Sequence, residues 1–363
     1  MTNYQRWLFL KIIPYTVIAV ISAIAYWVLE VSFLGDHATY PFTGNIYKPG
    51  NSLIAITTMS IIFGTGIGFI EETIFKKKFR SQSFLLIMVQ KTMIYLSLLL
   101  TLLFFQSLVL TAINLGKPIF DERVIGGVFT FFSSPILLST VVYIGLVIGA
   151  GLLFSEIIDY LGMDVVGSFI TGKYNKSVNE ERIFMFLDMK DSTTIAEKLG
   201  HKLHYKFINE YYGDMTNPII ETKGRIYQYV GDEIVLSWGL VEGLTKSNCL
   251  NCFFLIKEKI ESKKEIYLKK YGFSPEFKAA LHHGQVTRGR VGFIKKELLF
   301  TGDVLNTAAR IQSMCKELDA DLLISNELRD QLLDVDFDFL DRGVFSLRGR
   351  KREVKLVEVL AKK

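Results

Sequence analysis

Apolar positions are not spread evenly along this chain. Four long runs, Trp7 to Leu34, Leu53 to Phe75, Phe84 to Leu115 and Pro135 to Tyr160, carry very few charges. Each reaches the length of about 20 residues that a helix needs to cross a bilayer. The first run is too long for a removed signal peptide, and no small-residue cleavage site follows it. From Phe154 to about Thr171 the apolar positions recur at helical spacing, which predicts a helical stalk continuing the fourth run. The pattern then changes to short apolar runs alternating with amphipathic stretches. The expected organisation is a four-helix transmembrane domain over 1–160, a stalk or linker over 161–180 and a soluble domain over 181–363.

In the soluble part RIFMFLDM reads as a strand, and DSTTIAEKLG opens a helix with Asp191 and Ser192 as caps. A long helix is predicted from Lys202 to Thr222. YQYVGDEIVLSW follows, two apolar runs joined by Gly-Asp, the pattern of a hairpin. A helix over Lys246 to Lys269 comes next, then FKAALHHG and QVTRGRVG as a strand pair. DVLNTAARIQSMCKEL reads as a helix, ADLLIS as a short strand and FSLRGRKREVKLVEVL as a closing hairpin. The order β-α-β-β-α-β predicts a ferredoxin-like α+β fold, a split βαβ sheet of antiparallel strands with helices on one face.

Composition sharpens this division. Half of the residues are hydrophobic and the mean hydropathy is +0.29, values that average an apolar N-terminal part with an ordinary soluble one. The net charge of +5 is dispersed, with no long basic tract, so nucleic acid is not an expected partner. Four basic residues in KKKFR, Lys76 to Arg80, separate the second and third apolar runs, whereas the other two loops carry one or two each. The positive-inside rule places KKKFR in the cytoplasm. The expected location is therefore the inner (plasma) membrane, crossed several times in contact with the lipid bilayer, with the N-terminus and the soluble domain cytoplasmic. Glu30 and Lys91 are charged positions within the runs, and Lys91 is expected to extend toward the inner face. Gly64–Gly68 and Gly145–Gly149 have the spacing that lets helices approach closely. Cys249 and Cys252 sit in a helical pattern with no second pair to complete a zinc site, which points to packing.

The chemistry concentrates at strand ends. Asp188 closes the apolar strand IFMFLD and Asp232 stands at the tip of the hairpin. A split βαβ sheet makes these strands neighbours, so the two carboxylates share one edge. With a backbone carbonyl they form a hard oxygen site suited to Mg²⁺, whose remaining positions substrate phosphates usually fill.

FMFLDMKDSTTIAEKLG, YQYVGDEIVLSWG and LLFTGDVLNTAARIQS together resemble the class III nucleotide cyclases, over about Glu181 to Glu358. The resemblance implies a membrane-anchored enzyme of bacterial type that makes a cyclic nucleotide and pyrophosphate from a nucleoside triphosphate, ATP by preference. It implies two Mg²⁺ or Mn²⁺ ions per site, held by Asp188, Asp232 and the backbone carbonyl of Met189. Thr193 matches a residue that touches the terminal phosphate. Asn306 and Arg310 match the pair that orients the ribose and stabilises the transition state; four residues apart, they share a helix face. Lys278 and Arg348 match basic residues near the phosphates, with Arg350 as an alternative to Arg348. Gln228 and Leu299 occupy the purine-reading positions. Here the chain departs from the family: adenylate cyclases usually have Lys at the first position and guanylate cyclases Glu. A Gln amide can serve either purine, so the choice of ATP rests on the missing Glu. The family assembles each site from two subunits, which implies a homodimer, and leaves the membrane part as a sensor or regulator. Guanylate cyclase by the same mechanism, and a catalytically weak receptor with a cyclase fold, are the alternatives.

Overall fold

The computed structural model describes residues 2–35, 37–39, 46–75, 83–162, 166–167, 172, 177–294, 296–333, 336–347 and 352–362. The basic segment KKKFR, Arg348 and Arg350 lie outside the described residues, as does most of the expected stalk. The chain divides into two compact units, Trp7–Gly167 and Met1–Arg6 with Ser168–Lys363.

In the N-terminal unit, four helices are long and apolar enough to cross a membrane: α1 (Asn3–Leu34), α2 (Pro49–Ile70, extended by a π-turn over Glu71–Phe75), α3 (Phe84–Leu115) and α5 (Pro135–Leu161). Helix α3 stops at Gly116, whose left-handed backbone returns its N–H to the last turn. Helix α5 stops at Gly162, at φ 87°. The predicted run through Thr171 is therefore interrupted there. Between α3 and α5 lies a helix the hydropathy pattern had hidden in a loop, α4 (Glu122–Phe132). Asp121 caps it by accepting from the Arg123 N–H at 2.9 Å, and Val124 and Val128 are its buried stripe. Lys91 does not reach outward. It is buried and paired with Glu71 at 2.5 Å, and Tyr95 donates to the same carboxylate at 2.8 Å. A charge so placed is tolerated in apolar surroundings because it is paired.

The C-terminal unit is built on one mixed sheet in the order β2-β3-β1-β4-β6-β8-β7, with β5 also pairing β4. The strands are β1 (Val178–Met189), β2 (Arg225–Val230), β3 (Glu233–Gly239), β4 (Phe277–Val291), β5 (Glu297–Thr301), β6 (Leu322–Ser325), β7 (Phe337–Phe345) and β8 (Val354–Ala361). The pair expected from FKAALHHG and QVTRGRVG is a single long strand, β4. The sheet is not wholly antiparallel, because β4 and β6 run parallel.

Helices cover both faces rather than one. Strand β1 shows why. Ile183, Met185, Leu187 and Met189 pack with Phe207, Tyr211 and Met215 of α6 (Ser192–Glu221) and with Phe253 and Ile256 of α8 (Asn248–Glu261). The alternate residues Phe184 and Phe186 pack with Val304 and Ala308 of α10 (Asp303–Glu317). A strand covered on both sides is apolar at every position, which is how IFMFL reads. Helix α6 breaks at Gly200, at φ 68°, between the two helices the sequence predicted. The short helices α7 (Leu240–Leu244), α9 (Lys264–Tyr271) and α11 (Asn326–Gln331) complete the unit. Cys249 and Cys252 are buried in the α6-side core and burial pushes both thiols up to about 12, so they pack as small apolar groups.

Candidate active site

Side-chain alternation along β1 sets the position of Asp188. It shares parity with Phe184 and Phe186, so it belongs to the face that α10 covers. Antiparallel pairing puts Glu233 of β3 opposite it on one side and Lys278 of β4 on the other. The hairpin turn adds the second aspartate. Val230 pairs with Glu233, leaving Gly231 and Asp232 as a two-residue connection. Gly231 has φ 63°, a conformation that favours glycine. From helix α6, the Tyr212 hydroxyl donates to the Gly231 carbonyl at 3.0 Å and pins the turn.

These neighbours act on one another. Burial raises the Asp188 carboxyl above its ordinary range, and the nearby charge of Asp232 adds to this. Two groups work the other way. Gln312 of α10 donates from Nε2 to Asp188 Oδ2 at 3.0 Å, and Lys278 Nζ lies 3.8 Å from the same oxygen. Burial, then Asp188 and Asp232, push the Glu233 carboxyl up to about 7. The site is a negatively charged corner served by one distant ammonium and one neutral amide.

Helix α10 has two sides. Val304, Thr307, Ala308, Ile311, Gln312 and Cys315 are buried. Asn306 is exposed and Arg310 half-buried. At 3.6 residues per turn they lie roughly 120° and 160° around the helix from Gln312, the residue that meets Asp188. Among the described residues, no hydrogen bond or ion pair joins Asn306 or Arg310 to Asp188 or Asp232. The carboxylates and the Asn/Arg pair of one chain therefore face different ways.

The remaining predicted positions are spread around this corner. Lys190 and Asp191 turn the chain from β1 into α6. Asp191 has φ 54°, and the Lys190 N–H donates to Glu276 O at 2.9 Å. Thr193 is exposed in the first turn of α6, where the backbone N–H groups have no helical partner. Gln228 is exposed on β2 beside a register shift, and Leu299 is half-buried on β5 opposite Gly289. Their chain neighbours meet: the rings of Tyr227 and Phe300 lie 5.2 Å apart. The side chain of Met189 is in the core, so only its backbone carbonyl is available as a ligand.

Residues 175–359 match the adenylate and guanylate cyclase catalytic domain family. The chain belongs to this family. It is similar to adenylate cyclase 2 of Rhizobium meliloti (strain 1021), 33% identical over 204 residues, which are 56% of this chain and 56% of that protein. It is also similar to an adenylate cyclase of Anabaena cylindrica, 25% identical over 186 residues, 49% of this chain and 36% of that one. The chain thus spans about half, or less, of the length of these relatives. A bacterial light-regulated adenylyl cyclase structure shares the fold, with a TM-score of 0.52 at 17% identity, covering 61% of this chain and 65% of that one.

Cyclase domains of this class generally use divalent metals, and the donor set here fits one. Asp188 and Asp232 are hard oxygen donors whose mutual repulsion a divalent cation would relieve. Among the described residues no three His, Cys, Asp or Glu side chains are arranged to enclose an ion. Two carboxylates leave the rest of the shell to carbonyl and phosphate oxygens, as suits a metal that arrives with a nucleotide.

Two contributors to this cyclase corner are not evident from motifs alone. Gln312 is one. The signal for it was a polar residue on the otherwise apolar stripe of Val304, Ala308, Ile311 and Cys315. Glu233, which reads as a structural hairpin residue, is the other; its register with Asp188 draws it into the acidic cluster. His282 and His283 are occupied elsewhere, with Ser325 Oγ at 2.7 Å and Glu327 O at 3.1 Å.

Proposed function

We propose that this chain converts ATP to 3′,5′-cyclic AMP and pyrophosphate, as a homodimer anchored in the plasma membrane with its cyclase domain in the cytoplasm. The observation that carries this reading is the meeting of Asp188 and Asp232 at one corner of the sheet, beside a helix start suited to phosphate. The ribose 3′-oxygen would bond to the α-phosphorus as the bond to the leaving pyrophosphate breaks, and the hydroxyl proton would pass to solvent. Two Mg²⁺ or Mn²⁺ ions held by Asp188, Asp232 and the Met189 carbonyl would supply Lewis-acid stabilisation of the phosphate oxygens and of the attacking oxygen.

The chain's own residues then divide the work. Thr193 and the first turn of α6 bind the terminal phosphate. Lys278 adds positive charge on the β4 side, and Arg348 or Arg350 serves the phosphates. Asn306 fixes the ribose, and Arg310 offers a planar fork to charge developing on the α-phosphate. Gln228 and Leu299 border the purine. The two-sided helix α10 supports the homodimer: Asn306 and Arg310, turned away from their own carboxylates, would serve the partner's, giving two equal sites. ATP is favoured because no Glu stands at the purine edge to take the guanine donors, and because the relatives named above are adenylate cyclases. Membrane anchoring is supported by the four apolar helices, and the cytoplasmic side by KKKFR.

The test is direct. The purified full chain is incubated with Mg²⁺ or Mn²⁺ and either ATP or GTP, and the product is identified. The expected result is cyclic AMP, absent with Asp188→Ala. Faster cyclic GMP formation would replace the substrate assignment. No cyclic nucleotide, with wild type and Asp188→Ala indistinguishable, would leave a binding module.

A further inference from the structure

The acidic corner depends on a turn that has two accessible forms. Gly231 and Asp232 connect β2 to β3, and Val230 pairs with Glu233 across them. Two-residue hairpin connections are usually type I′ or type II′ turns. Type I′ needs positive φ at both central residues, whereas type II′ needs it only at the first. Gly231 has φ 63° and Asp232 has negative φ, which is the type II′ pattern with glycine first. The other form is open to this sequence. Asp is among the few residues that enter the left-handed region readily. Asp191 and Asp319 of this chain do so, at φ 54° and 49°.

The two forms differ by rotation of one rigid peptide plane, the one that links Gly231 to Asp232. Its oxygen is the Gly231 carbonyl, and its rotation swings φ of Asp232 from negative to positive. The Asp232 side chain then leaves the backbone in a different direction. The corner in which the charge of Asp232 acts on Asp188 belongs to the type II′ form.

Tyr212 is placed to hold that form. It is half-buried on α6, and its ring lies 4.6 Å from the ring of Tyr229 on β2. The ring contact sets where the hydroxyl sits against the hairpin. From there the hydroxyl donates to the Gly231 carbonyl at 3.0 Å. Rotating the peptide would carry the oxygen away from this donor. Burial, and after it the charge of Asp232, raise the hydroxyl above its ordinary range, so it keeps its proton.

We infer that Tyr212 is a positioning residue of the metal site: its hydroxyl holds the Gly231–Asp232 peptide in the type II′ form and so orders the Asp232 carboxylate before a divalent cation arrives. Tyr212 acts through the backbone of Asp232 rather than on substrate. Its role is defined within the cyclase reading proposed above, and the experiment separates the two.

The full chain in detergent is compared with Tyr212→Phe, which removes the hydroxyl alone. Binding of Mn²⁺ in the presence of 3′-deoxy-ATP, which has no 3′-hydroxyl to cyclise, is followed by water-proton relaxation. Cyclic nucleotide formation from ATP is measured across a Mg²⁺ titration, with thermal denaturation in parallel. Tyr212→Phe should bind Mn²⁺ about threefold more weakly, toward the lower end for one neutral hydrogen bond because water reaches the turn. The Mg²⁺ concentration for half-maximal turnover should rise by a similar factor, with turnover recovered at saturating metal and melting close to wild type. Tyr271→Phe removes another hydroxyl of the same unit, one that donates to Glu210 at 2.8 Å, and should leave metal dependence as in wild type. Wild-type metal affinity in Tyr212→Phe, turnover that saturating metal does not restore, or the same shift in Tyr271→Phe would overturn the inference. If wild type itself neither binds Mn²⁺ with the nucleotide nor forms a cyclic nucleotide, the cyclase reading fails and the positioning role falls with it.

Discussion

Replacing Gln312 with leucine removes one donor from the acidic corner and changes little else. The volumes are similar, and the position lies on the buried stripe of α10 with Ile311 and Cys315, so the fold should tolerate it. What is lost is the 3.0 Å bond from Nε2 to Asp188 Oδ2. A hydrogen bond to a charged group is worth about 1.5–3 kcal/mol, and each 1.4 kcal/mol is tenfold in an equilibrium. The Asp188 side chain is 25% exposed, so water recovers part of the loss and the lower end applies. A carboxylate oxygen has two lone pairs, so Gln312 and a metal ion can be served by Asp188 together. The bond orders the carboxylate before the metal arrives, so without it that ordering cost falls on metal binding, and Gln312→Leu should weaken the apparent Mg²⁺ affinity by up to about tenfold, with turnover largely recovered at saturating metal. Pyrophosphate release measured across a Mg²⁺ titration, with thermal denaturation in parallel, reads both quantities. Unchanged or tighter metal dependence in a variant that melts normally would refute the reasoning, because Gln312 would then compete with the metal rather than support its ligand.

Asp188→Ala and Arg310→Ala should each be inactive, yet mixing equal amounts of the two should restore about a quarter of wild-type activity: half of the dimers are mixed, and each mixed dimer has one intact site of two. No recovery after subunit exchange would rule out sites shared between chains. Gly64→Leu forces a side chain to within 2.9 Å of the α1 backbone and should destabilise the helical bundle by about 1–3 kcal/mol, read as a lower melting temperature in detergent. Asp321 offers a pH test. Burial alone would raise its carboxyl, but bonds from Lys190 and Lys257, both at 2.7 Å, hold it below the ordinary range. A depressed carboxylate stabilises the fold above its unfolded value, and that contribution is lost as pH falls through the folded one. The site is partly exposed, so Asp321→Asn should cost only about 0.2–1 kcal/mol at neutral pH. The gap between variant and wild type should begin to narrow below about pH 4, the unfolded carboxyl value, and keep narrowing as pH falls through the lower folded one. A gap that does not narrow at all as pH falls below about 4 would show that the ion pairs are not its source.

Local patterns carried much of this architecture. An apolar run ending in aspartate, and two apolar runs around Gly-Asp, were enough to bring Asp188 and Asp232 to one edge once the strands were taken as neighbours. The helix bearing Asn306 and Arg310 was equally plain, because LNTAARIQSMC has a clear buried stripe. What could not be read was anything that depends on which surfaces meet. Gln312 contributes only because α10 covers the Phe184 face of β1, and the expectation of helices on one face hid that contact. The continuous β4 was divided because Gly284 reads as a breaker, whereas in the sheet it sits against Val304, where a Cβ would be 2.8 Å from Val304 Cγ2. Lys91 was expected to reach outward because its partner, Glu71, lies twenty residues earlier, in a π-turn that hydropathy does not reveal. Helix α4 has eleven residues, too few to cross a bilayer, so a pattern of long apolar runs passes over it.

Helix α10 touches its own chain's acidic corner through one side and carries Asn306 and Arg310 on another. In the proposed dimer a single rigid rod would thus belong to two reaction centres at once. A small roll of that rod would alter the setting of one chain's aspartate and the reach of an arginine into its neighbour's nucleotide. The two centres would then not turn over independently: filling one would bias the other, and substrate saturation would depart from a simple hyperbola even with identical subunits.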